Sequence, residues 1–81
     1  MEITKFTKLI KSGFDVSFNY KDVFYTISLI KDDGVEKAYG IGSDSGFKAD
    51  FDSVDTICGF ILDDKSIADI VSSLNEEEIF Y

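Results

Sequence analysis

Histidine, arginine, proline, tryptophan and glutamine are all missing from this 81-residue chain, and cysteine occurs once. Each absence excludes something. Without histidine there is no side chain whose ordinary pKa lies near neutrality and no imidazole for a transition metal. Without arginine there is no planar, bidentate clamp for phosphate. A single cysteine cannot close an internal disulfide, so nothing argues for a stapled, secreted domain. No apolar run approaches the ~20 residues of a membrane helix. Lys5, Lys8 and Lys11 interrupt the N-terminal stretch where a signal peptide has an unbroken apolar centre. The expected location is the cytoplasm.

What is present points to a folded domain. The chain is 44% hydrophobic and 15% aromatic, too apolar for an acidic disordered segment. At this length one domain, residues 1–81, buries roughly 60–65% of its unfolded surface. The formal charge is -8 and is unevenly placed. Residues 1–40 balance six lysines with six acids, whereas residues 41–81 set only Lys48 and Lys65 against ten acids. A chain of this sign opposes direct binding to nucleic acid and to anionic membrane surfaces.

Periodicity orders the elements. Ile3, Phe6, Leu9 and Ile10 recur at helical spacing and predict a helix from Glu2 to Lys11, ended by Gly13. The period then falls to two. Phe14, Val16, Phe18 and Tyr20 alternate with polar residues, and Val23, Tyr25, Ile27 and Leu29 follow after Lys21-Asp22. A two-residue turn there pairs Tyr20 with Val23, Phe18 with Tyr25, Val16 with Ile27 and Phe14 with Leu29, all on one face. Asp32-Asp33-Gly34 reads as a turn, Tyr39 and Ile41 as a third strand, and Phe47, Ala49 and Phe51 as a fourth. A loop from Gly42 to Gly46 sets Ile41 opposite Phe47 and Tyr39 opposite Ala49.

The pattern then returns to helical. Asp52 or Ser53 caps a helix carrying Val54, Ile57, Cys58, Ile61 and Leu62, and Asp63-Asp64 caps another carrying Ile67, Ile70, Val71 and Leu74. Glu76 to Glu78 fall at the C-terminal end of that helix, where the dipole disfavours acids. The Ile79-Phe80-Tyr81 tail is expected to dock on the domain's own core. The fold class is therefore α+β: two layers, with an N-terminal helix, a four-stranded antiparallel meander and two short C-terminal helices packed on the sheet.

No constellation reads as catalytic. Gly40, Gly42 and Gly46 are spaced one residue wider than the dinucleotide fingerprint and lead into a strand instead of a helix. Asp44, Asp50, Asp52 and Asp55 miss the order of an EF-hand loop. Cys58 lies on an apolar stripe among acidic neighbours and reads as a buried structural thiol. Ser28, Ser43 and Ser45 have no histidine and no S-x-x-K lysine to activate them. Carboxylate pairs can do acid–base work unaided, but a two-layer domain this small has little interior for the cleft they need.

Tyr20-Lys21-Asp22-Val23-Phe24-Tyr25, Phe51-Asp52-Ser53-Val54-Asp55 and Leu62-Asp63-Asp64-Lys65-Ser66-Ile67 together resemble the cadence of small uncharacterised α+β proteins of Gram-positive bacteria and their phages. The resemblance spans most of the chain and rests on structural signals. It brings no activity, ligand or catalytic residue.

Binding features remain. Phe24 and Ile30 fall on the polar face of the second strand and read as a partner patch or as cross-strand packing. Asp50, Asp52, Asp55, Asp63, Asp64 and Asp69 belong to the acidic half, which reads as a surface for a basic protein partner or as a solvated face. The expectation is a small acidic, non-enzymatic protein-interaction module of bacterial or phage origin, without cofactor or metal. The alternative is a homodimer or larger oligomer joined through the sheet face or an edge strand. A phage-type inhibitor mimicking nucleic-acid charge is a sharper variant, which requires the carboxylates to cluster on one exposed face.

Overall fold

A computed structural model describes all 81 residues. The chain opens with α1 (Ile3–Lys11), which buries Phe6 and Ile10 and leaves its lysines exposed. Lys8 and Lys11 sit in its last turn, where the helix dipole favours cations. Gly13 stops it at φ 91°. The Gly13 N–H donates to the Ile10 carbonyl and the Phe14 N–H to the Leu9 carbonyl, a Schellman closure that needs a residue free to take positive φ.

A meander of β1 (Val16–Tyr20), β2 (Val23–Asp32), β3 (Lys37–Ser43) and β4 (Lys48–Phe51) follows. The β1–β2 register has Val16 opposite Ile27, Phe18 opposite Tyr25 and Tyr20 opposite Val23, as the alternation predicts. The turn takes its primed form with Lys21 at φ 49° and Asp22 at φ 65°, positions usually held by Asn or Gly. Phe14 does not pair with Leu29. Gly13 to Asp15 are used in leaving α1, β1 starts only at Val16, and Phe14 stays half exposed.

The β3–β4 register is also corrected. Ile41 faces Ala49 and Tyr39 faces Phe51, two residues from the expected pairing. The strand β3 runs on to Ser43, whose N–H donates to the Phe47 carbonyl (3.0 Å), so the loop shortens to Asp44-Ser45-Gly46. An even-numbered shift keeps every side chain on its expected face.

The second half differs more. α2 (Val54–Gly59) is capped by Ser53, whose Oγ accepts the Thr56 N–H at 3.1 Å. It ends before Ile61 and Leu62, which form β5 (Ile61–Leu62) paired with β6 (Lys65–Ser66) instead of continuing the helical stripe. Asp63-Asp64 makes the turn between them, with Asp63 at φ 65°, and does not cap α3 (Ile67–Ser73). Ser66 does, accepting the Asp69 N–H at 3.1 Å. The Ile67 N–H is held by the Phe60 carbonyl (2.9 Å), which fixes where the helix begins. Glu76–Glu78 form a separate 3-10 turn, with the Glu78 carboxylate accepting the Asn75 N–H at 2.8 Å. The acids therefore start a turn instead of ending α3.

The tail returns to the domain as β7 (Ile79–Phe80), antiparallel to β1, with Ile79 opposite Phe18 and Phe80 opposite Ser17. The sheet thus has five strands in the order β4-β3-β2-β1-β7. Buried residues of all three helices (Phe6, Ile10, Ile57, Ile67, Ile70, Val71) join Val16, Phe18, Ile27, Ile41 and Ile79 in one core. The helices therefore lie together against one face of the sheet, and the other face has no layer over it.

Candidate interaction surface

Alternation along each strand decides what the uncovered face carries. Since Phe18, Ile27, Ile41 and Ile79 point into the core, Ser17, Thr26, Ser28, Gly40, Gly42 and Phe80 point away from it. Ser17 and Thr26 are directly opposite and share a hydrogen bond between hydroxyls at 2.8 Å. Beside them the Phe24 ring meets Phe80, with centroids 6.0 Å apart at 54°, and Phe80 remains half exposed.

Ile30 occupies a bulge. Leu29 faces Tyr39 and Lys31 faces Ala38, so the residue between them has no partner on β3. Its side chain leans over Gly40, where an added Cβ would lie 3.5 Å from Ile30 Cδ1 and 3.4 Å from Asp50 Oδ1. Ile30 is nonetheless 58% exposed, so cross-strand packing accounts for only part of its surface. Thr26, Ser28, Ile30, Gly40, Lys48 and Asp50 line a shallow groove of about 300 Å³ across this face.

Ile30 and Asp50 thus come together over Gly40, Phe24 lies on the same face near the opposite end of β2 beside Phe80, and the other named acids join neither group. Asp52 and Asp55 flank the start of α2, near Lys11 and Lys37. Asp69 stands in the first turn of α3. Asp63 and Asp64 belong to the β5–β6 turn, where Lys21 reaches them at 2.8 and 3.2 Å. Asp64 also accepts the Tyr20 hydroxyl. The Tyr20 hydrogen bond, and then Lys21, hold the Asp64 carboxyl below its usual range, and the same contact raises the Tyr20 phenol. At another point Lys5 pairs with Glu76 at 3.0 Å and lies over the Tyr81 ring. Lysines of the neutral half therefore offset acids of the other half, and the charge asymmetry along the chain is partly cancelled in space.

Cys58 is partly exposed, not buried as its stripe suggests, because α2 ends one residue later. Burial, and then the charge of Asp55, raise its thiol pKa, which keeps it protonated near neutrality. No three carboxylate or thiol side chains are grouped so that they could hold a metal ion. No helix is long and apolar enough to cross a membrane.

Two participants escaped the sequence reading. Phe80 reads in the sequence as part of an apolar tail, whereas the order Ile79 inward, Phe80 outward is the two-residue period of a strand. Gly40 reads in the sequence as one glycine of a Gly-rich hairpin loop rather than a phosphate loop, whereas in the structure it lies within β3 and leaves the floor of the groove low beside Ile30. Comparison with protein-family models, with curated proteins and with solved structures returns no match to this chain.

Proposed function

We propose that this chain is a small non-enzymatic protein-interaction module of the cytoplasm whose recognition surface is the uncovered face of the sheet. The observation that carries the reading is that a face no helix covers carries two apolar features, the partly buried Phe24 against half-exposed Phe80 near one end of β2 and the exposed Ile30 near the other, with a groove floored by glycine beside Ile30. Apolar side chains set among polar groups on an uncovered face mark a contact surface. The rim supplies Thr26, Ser28, Lys48 and Asp50 for orientation. Asp52, Asp55 and Asp69 are not engaged in ion pairs, and they favour a partner carrying basic groups around an apolar centre. The distribution of acids over α2, the β5–β6 turn and α3 supports this reading over mimicry of nucleic-acid charge, which needs one continuous acidic face.

The test is capture from the native host's lysate by the immobilised wild-type chain and by a Phe24→Ser, Ile30→Thr double variant, at low and high salt. A species held by the wild type at both salts and missing from the folded variant is the expected result. Identical recoveries on both baits would refute the sheet-face reading. A species lost on raising salt yet untouched by the variant would move recognition to the carboxylates.

A further inference from the structure

We infer that the free edge of β4 is a self-complementary strand that joins two copies of this chain about a two-fold axis. This interface lies on a different strand from Phe24, Ile30 and Phe80, although the Lys48 and Asp50 side chains also border the groove of the open face.

β4 is the terminal strand of the sheet and pairs only with β3. The Ser43 N–H bond to the Phe47 carbonyl marks 43 and 47 as a hydrogen-bonded pair. Antiparallel pairs alternate, so Ala49 and Phe51 also bond inward, to Ile41 and Tyr39. The backbone N–H and C=O groups of Lys48 and Asp50 consequently point outward. A second β4 running antiparallel can engage both residues in only three two-fold registers. Centred on Lys48, the register sets lysine opposite lysine; centred on Asp50, it sets aspartate opposite aspartate. Like charges directly opposite each other are unfavourable in a sheet. Centred on Ala49, it sets Lys48 of each copy opposite Asp50 of the other, with four backbone hydrogen bonds and two opposite-charge pairs.

The inner face agrees with this register. Ala49 meets its own equivalent, where a small side chain lets the strands approach. Phe47, 38% exposed at the sheet edge, comes opposite Phe51 of the second copy. A lysine on an edge strand usually guards it against indiscriminate pairing. Here the alternation of Lys48 and Asp50 rejects other strands and accepts its own copy. The two-fold axis is perpendicular to the sheet, so a ten-stranded sheet results with both open faces on the same side.

Sedimentation equilibrium from micromolar to millimolar protein reads the association, and amide exchange at Lys48 and Asp50 locates it without any substitution. A dimer whose formation protects those two amides is expected. Lys48→Asp or Asp50→Lys alone should weaken it at least roughly tenfold, and the Lys48→Asp, Asp50→Lys swap should restore it. The inference is overturned by a wild-type chain that stays monomeric at every concentration. It is equally overturned by a dimer indifferent to single reversals, by failure of the swap to rescue, or by a dimer lost instead through Phe24→Ser and Ile30→Thr.

Discussion

The two faces of the five-stranded sheet are made by the same strands, yet they answer to different demands. On the covered face, Val16, Phe18 and Ile27 are completely buried and Ile41, Phe51 and Ile79 nearly so. On the open face the alternating residues are Ser17, Thr26, Ser28 and two glycines, interrupted by Phe24, Ile30 and Phe80. Burial under helices makes every covered position a matter of stability. Exposure makes the three apolar residues of the open face the unexpected ones, because a merely solvated face would not need them.

Substitutions should separate the faces by size of effect. The largest change is expected from Phe18→Ala, which empties a fully buried site between Tyr25, Ile79 and the helices. A loss of about 3–5 kcal/mol is expected in chemical denaturation, a large share of the about 5–15 kcal/mol typical of a whole domain. A loss below about 1 kcal/mol would mean that the covered face is not the core. On the open face, Phe24→Ala and Phe80→Ala should each cost less. Their double-mutant cycle should show a coupling of about 0.5–1.5 kcal/mol, the range for a tilted aromatic pair. Zero coupling would leave Phe80 free to act independently of Phe24.

Gly40→Ala sharpens the contrast in the opposite direction. The position has ordinary strand backbone, and a Cβ there meets Ile30 and Asp50 at normal contact distance. Stabilisation by about 0.5–1 kcal/mol is expected, readable as a rise in thermal midpoint, together with a shallower groove. If binding of a partner weakens while stability rises, that position serves contact and not folding.

The smallest effect belongs to the seam where Tyr20 leaves the covered face and meets Asp64. Because the folded Asp64 pKa is lowered, its contribution is present above the ordinary carboxylate range and is lost as pH falls through the depressed value. Because the folded Tyr20 pKa is raised, its contribution is complete below the ordinary phenol value and disappears as pH rises through the elevated one. Asp64→Asn should bring the Tyr20 ring titration, followed by NMR, down towards the ordinary value. An unchanged titration would show that the hydroxyl does not depend on that carboxylate.

The clearest local signals were legible in the residues themselves. The Val16–Ile27, Phe18–Tyr25 and Tyr20–Val23 register follows from two alternating runs separated by two residues, even though Lys21-Asp22 is poor turn chemistry. The β3–β4 register did not follow, because a shift of two preserves both faces and only the loop's hydrogen bonds distinguish the alternatives. Asp63, Asp64 and Ser66 are all plausible helix caps. The Phe60 carbonyl, which takes the Ile67 N–H, selects Ser66. Among the site residues, Phe24 and Ile30 were marked by falling on the wrong parity, whereas Phe80 needed its long-range pairing with β1 to be placed.

By itself the sequence determined the α+β class, which residues of the meander from Val16 to Phe51 face the helices, and that imidazole and guanidinium chemistry are absent from the chain. These are properties of composition and of periods of two and 3.6, which act between near neighbours. Only the tertiary structure decided that the last strand returns beside the first and that all three helices choose one face. It also decided that Lys5 and Lys21 reach the acids of the other half. Those outcomes depend on closing loops of tens of residues, where the gain comes from burying a shared core and local pattern has no say.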